Sequence, residues 1–136
     1  MGFLIIGVVF RGNKELDGVL SSRGESGLEE GISRMLLGSK HQGQVRLILL
    51  DQNRLPEKID PVKIWEKTGK PVLLINDDNE FDSRFMFRYQ ERMFFAAGID
   101  EESAKRVLSK IYPKSCSEAV RIAGIILESI LGLHKV

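Results

Sequence analysis

Apolar positions follow two patterns along this chain, and the pattern decides the element. Phe3–Phe10 is an unbroken apolar run rich in branched residues, as expected of a strand buried on both faces. Arg11–Glu15 is polar and contains a glycine, and Leu16–Arg23 resumes with strand-forming residues, so a hairpin is predicted. Ser26-Gly-Leu-Glu29 matches a capping box, in which the Ser and Glu side chains satisfy free N–H groups at a helix start. Leu28, Ile32, Met35 and Leu36 then recur on one helical face, and Gly38 stops the helix. Val45–Leu50 is a second buried strand, with Asp51 at its C-terminal end. Pro61 suits the first turn of a short helix through Ile64, Trp65 and Lys67, which Gly69 closes.

Pro71–Ile75 is the next strand, followed by the polar stretch Asn76–Glu80. In residues 81–95, Phe85, Phe87 and Tyr89 alternate with Met86 and Arg88, which predicts a strand pair turning at Gln90–Arg92. Asp100 caps a helix through Ala104, Val107, Leu108 and Ile111 that ends before Pro113. Ser115–Glu118 is another capping box. The last helix, about 117–133, is apolar nearly all round, with Gly124 and Gly132 near its narrow polar face. The order β-β-α-β-α-β-(β-β)-α-α indicates an α/β fold with a mixed sheet, in one domain over residues 1–136.

Composition narrows the function more than the fold. A chain of 136 residues needs no disulfide or metal to hold its core. Lys plus Arg is 20 and Asp plus Glu is 19, giving a net charge of +1. That balance excludes a strong global pull on nucleic acid or membrane and leaves only a local patch. The lone Cys116 forms no internal disulfide, and a reducing, cytoplasmic setting is expected. Neither Phe3–Phe10 nor Ile122–Leu133 is long enough for a membrane span.

Several patches resemble a known family in order along the chain. They are Phe10-Arg-Gly, Leu16-Asp-Gly-Val-Leu-Ser, Ser39-Lys-His-Gln-Gly-Gln-Val-Arg-Leu-Ile, Leu50-Asp51, Glu66-Lys-Thr-Gly-Lys-Pro-Val, Ala96-Ala-Gly-Ile-Asp-Glu-Glu-Ser-Ala and Glu118-Ala-Val-Arg-Ile-Ala. The family is an uncharacterised, mainly archaeal one, domain of unknown function 99 (UPF0215), related to endonuclease V. The resemblance implies a ribonuclease H-like, endonuclease V-like fold. The family's usual first strand ends in an acidic Gly-Ile-Asp-Asp-Gly-like motif. This chain starts after that motif, so a sheet lacking the central first strand is expected.

Such nucleases hold Mg²⁺ with carboxylates at strand ends, where two ions stabilise both oxygens of a phosphoryl displacement. The resemblance implies Asp51 and Asp17 as metal ligands, with His41 as an acid/base. Here Gln52 replaces the Gly of the family's Asp-Gly pair. The family's acidic stretch after the second strand is shortened to Gly24-Glu-Ser26, with Glu25 and Glu30 as substitutes. Each candidate also has a plainer role: a turn Asp at 51, a hairpin anchor at 17, a packed loop His at 41. Asp77, Asp78, Glu80 and Asp82 do not follow a Ca²⁺-loop spacing. Arg84, Arg88 and Arg92 with Phe87 and Tyr89 could hold phosphate and stack bases, or simply form a charged strand edge.

These readings predict an endonuclease V-like protein with eroded catalytic equipment. It needs no cofactor (Mg²⁺ if active), binds DNA or RNA weakly, avoids membranes and self-associates. The competing classes are a Mg²⁺-dependent phosphodiesterase and a non-enzymatic assembly protein.

Overall fold

The first apolar run is a strand in the computed structural model, which describes residues 3–11, 15–24, 27–77, 85–111 and 121. Phe3–Arg11 (β1) and Glu15–Gly24 (β2) pair antiparallel, from Phe3↔Gly24 to Arg11↔Glu15. The register slips between Val9↔Gly18 and Phe10↔Leu16, so Asp17 is the extra residue of a β-bulge. Alternation along β2 puts Gly18, Leu20 and Ser22 half-buried, while Asp17, Val19, Ser21 and Arg23 are exposed.

Leu28–Leu37 (α1) lays its apolar stripe, Leu28, Ile32 and Leu36, against the core. It approaches β1 closely: a Cβ on Gly31 would stand 2.6 Å from Ile5 Cδ1. The N-cap is Gly27 with no side-chain cap bond, and Ser26 of the expected capping box lies outside the described residues. Instead the Leu28 N–H donates to Glu57 Oε1 at 3.2 Å, and Glu29 Oε2 accepts from the Asp60 N–H at 3.0 Å. The carboxylates thus tie the helix start to the segment after the next strand.

That strand, Ile48–Asp51 (β3), starts later than Val45. The N–H groups of Gln44 and Val45 both bond the His41 carbonyl, which keeps the chain turning. Pro61–Thr68 (α2) begins at Asp60, whose carboxylate accepts from the Val62 N–H, and ends at Gly69 in the left-handed conformation. Glu30 of α1 pairs with Lys67 of α2 and with Arg34 of its own helix. Hydrogen bonds from Lys67, then Arg34, hold the Glu30 carboxyl below its usual range.

Val72–Ile75 (β4) lies parallel to β3 and is buried throughout. Met86–Tyr89 (β5) and Arg92–Ala97 (β6) form the predicted strand pair, turning at Gln90 and Glu91. The four strands make a mixed sheet in the order β3-β4-β6-β5. One face presents Val72, Leu74, Phe95 and Ala97 to α1 and α2. The other presents Leu73, Ile75, Phe94 and Ala96 to Ala104 and Leu108 of Glu101–Ile111 (α3). The small α/β domain is thus three layers deep at this sheet. The expected single sheet is divided: among the described residues, β1 and β2 form a sheet of their own. Ile5 of β1 still joins the core cluster of Ile64, Val72 and Leu74, so α1 spans both sheets. The predicted last helix and its capping box lie outside the described residues.

Asp100 starts α3 by accepting from the Ser103 N–H at 2.8 Å and from its hydroxyl at 2.9 Å. These bonds, the backbone one first, hold its carboxyl below the usual Asp range. A carboxylate with a lowered folded-state pKa stabilises fully above the ordinary Asp range, and the contribution fades as pH falls through the lowered value. Asp100→Ala is therefore expected to melt below the native protein near neutrality, with the gap closing in acid. Melting curves across acidic pH check this, and a gap that stays constant would deny the charge a role.

Candidate functional site

The strand ends are where metal-binding carboxylates were expected. Asp51 closes β3, with a side chain only 12% exposed. Its Oδ1 accepts from the Asn53 N–H at 3.0 Å, and its Oδ2 lies 3.7 Å from Arg54 Nε. It therefore caps the short 3₁₀ turn Gln52–Arg54. Gln52 bridges the following loop: its Nε2 donates to the Glu57 carbonyl and its Oε1 accepts from the Ile59 N–H.

His41 lies at the other end of α1. Its backbone N–H donates to Ser39 Oγ at 2.9 Å, and its Nδ1 is 3.1 Å from Gln44 Oε1. The ring covers Gly18, where a Cβ would stand 2.5 Å from Nε2. Asp17 is exposed on the opposite face of β2 from that contact, and it has an interaction of its own. The chain direction separates these groups. The α1 N-terminus is tied to residues 57 and 60, just beyond Asp51, whereas its C-terminus leads to His41 and Gly18. A ten-residue helix is about 15 Å long. Asp51 is thus not brought together with Asp17 and His41. Among the described residues, no group of three His, Cys, Asp or Glu side chains is placed to hold a metal ion.

The arginine and aromatic patch is also taken apart. The register pairs Arg88 with Met93 and Tyr89 with Arg92, so Arg88 and Arg92 fall on opposite faces of the β5–β6 hairpin. Arg92 Nε is 2.9 Å from Asp77 Oδ2, and Asp77 Oδ1 also accepts from the Met93 N–H. Phe87 is buried, stacked on Phe94 with centroids 5.6 Å apart, and Tyr89 meets the same ring edge-on at 6.3 Å. Phe87 therefore has no free face of the kind base stacking needs, while Tyr89 is half-buried. Arg88 remains exposed. Arg84, Asp78, Glu80, Asp82 and Glu25 lie outside the described residues.

Two cations that sequence reading left apart do meet. Arg46 precedes β3 and Lys70 precedes β4, and because these strands are parallel neighbours their entrances lie side by side. Together with Gly43 and Val45 they line a surface depression of about 260 Å³. The signal was available in the sequence: each cation stands two positions before its strand.

No protein-family model matches the chain. It is similar to a protein named UPF0215 protein from Methanothermobacter thermautotrophicus, at 38% identity over 78 residues. That alignment covers 53% of this chain and 38% of the relative. A UPF0215 protein from Methanosarcina acetivorans is 36% identical over 77 residues, covering 53% of this chain and 39% of the relative. The aligned part thus spans well under half the length of these curated relatives. Homologues of this name in several archaea support kinship with an uncharacterised archaeal family. A solved structure, that of a protein of unknown function from Archaeoglobus fulgidus, superposes with a TM-score of 0.74 at 18% identity. It covers 95% of this chain and 97% of that one, which supports the fold as a single small α/β unit. Among the described residues, no helix is long and apolar enough to cross a membrane.

Proposed function

We propose that this chain is a non-enzymatic assembly protein of endonuclease V-like descent, which pairs its β1 edge with that of a second copy. One observation carries the reading: the sheet is divided, and among the described residues β1 has a strand on one side only. A strand edge is a row of unpaired N–H and C=O groups, and proteins usually guard it with charge, bulges or shortness. β2 has a bulge at Asp17 and an exposed Arg23, while β5 and β3 are four-residue strands. β1 is nine residues long and carries no charge before Arg11. Antiparallel pairing about a twofold axis joins identical edges. The separation of Asp51 from Asp17 and His41 favours this reading over a nuclease, and the divided arginine patch favours it over nucleic-acid binding. In this reading the protein works in the cytoplasm, needs no cofactor and touches DNA or RNA weakly.

Light scattering across the micromolar range tests it. The native protein is expected at twice its chain mass. Ile6→Lys places a charge in the β1 edge strand, opposite the exposed Ser21, and is expected to give a folded monomer. A monomeric native protein overturns the proposal. So does Mg²⁺-dependent cleavage of inosine-containing DNA that disappears in Asp51→Ala.

A further inference from the structure

We infer that the depression between the entrances of β3 and β4 is a binding site for a phosphate group on a small molecule. Three observations converge there. First, its lining is Gly43, Val45, Arg46 and Lys70, two cations with no carboxylate among them. Second, neither Arg46 nor Lys70 enters a salt bridge among the described residues; Arg23, Lys40, Lys63, Arg88 and Lys110 share that state, and of these seven cations Arg46 and Lys70 line one depression together. Third, the turn at 39–45 leaves a donor over. The N–H groups of Gln42, Gln44 and Val45 are bonded within the turn, whereas the Gly43 N–H has no acceptor among the described residues. A Cβ at Gly43 would meet nothing within 4 Å, so a ligand can approach the backbone there.

The chemistry selects phosphate over other anions. A guanidinium offers paired donors that match two phosphate oxygens, and an ammonium neutralises the remaining charge. A backbone N–H beside them adds the kind of contact that anion-binding turns supply. A carboxylate carries half the charge that two cations can compensate. A nucleic-acid strand calls for a run of cations along a groove with aromatic stacking, and no aromatic residue lines this depression. The contrast with the larger depression, about 420 Å³, is instructive: its Arg34 and Lys67 are already paired with Glu30.

The site is independent of the β1 edge, so the two proposals stand or fall separately. The test is amide NMR of the full chain during titration with sodium phosphate, with sodium chloride at matched ionic strength as control. The expected result is saturable shifts at Gly43 and Arg46 that chloride does not produce. Adenosine monophosphate, titrated next, distinguishes the sources: tighter binding than phosphate is expected of a monoester ligand, and equal or weaker binding would assign the site to the free anion and overturn the small-molecule ligand. In Arg46→Gln with Lys70→Gln, binding is expected to weaken at least about tenfold, since each charged hydrogen bond contributes appreciably. Linear shifts, or shifts that chloride reproduces in the native protein, overturn the proposal without reference to any variant. Undiminished binding in a folded double variant does so as well.

Discussion

Phe94→Ala is expected to remove about 3–5 kcal/mol of folding stability, the range for emptying a buried aromatic site. Phe94 is completely buried on β6, which is flanked by strands on both sides. Its ring stacks on Phe87 at an interplanar angle of 17° and meets Tyr89 at 73°. The substitution therefore loses transfer energy, leaves a cavity between the sheet and α3, and removes two ring contacts worth roughly 0.5–1.5 kcal/mol each. Small domains have only about 5–15 kcal/mol in total, so roughly a fifth or more would go. Urea unfolding with an unchanged slope is the measurement. Leu37→Ala, at a 40% exposed position, is the comparison and should shift the midpoint little. A loss below about 1 kcal/mol for Phe94→Ala would mean that the α3 layer is not packed as described.

Gly98→Ala is expected to be nearly as damaging through a different cause. Gly98 ends β6 at φ 77°, where a side chain costs roughly 1–3 kcal/mol. The new Cβ would also stand 2.4 Å from Nε1 and 2.5 Å from Cδ1 of the Trp65 indole. Trp65 must move, and since the chain has one tryptophan, its emission reports the displacement directly. A cycle with Trp65→Ala separates the two effects: the part of the loss that vanishes is collision, and the remainder is backbone strain. An unshifted emission spectrum with full stability would show that the loop after β6 does not run beneath α2.

Much of this architecture was legible because periodicity reports burial. The unbroken run at 71–75 became β4, covered on both faces, and Pro61 and Gly69 bracket α2 as their backbone preferences require. What failed to show were properties of pairs of elements. Arg88 and Arg92 are four apart, which on one continuous strand means a shared face. A two-residue turn lies between them, and pairing across the hairpin places them on opposite faces instead. Asp17 begins its strand and Asp51 ends another, so proximity to strand ends did not place them at the same end of the layer. The division of the sheet depends on which strand lies beside which, a fact that no single run encodes. Arg46 and Lys70 were unremarkable singly and became a candidate site only through the parallel neighbourhood of β3 and β4.

The β5–β6 turn bears on the order in which the molecule folds. Gln90 and Glu91 sit at φ 49° and 68°, a region that two-residue hairpins normally fill with Asn-Gly. With neither residue suited to it, this hairpin is a poor nucleus. Closure of β5 onto β6 is therefore expected to follow the docking of β6 on β4 and of Phe94 under α3, contacts that join separate parts of the chain. The slow step is then expected to be non-local, as in proteins whose rates are limited by long-range pairing. The double substitution Gln90→Asn with Glu91→Gly would let the local event come first, raising the refolding rate more than it lowers the unfolding rate.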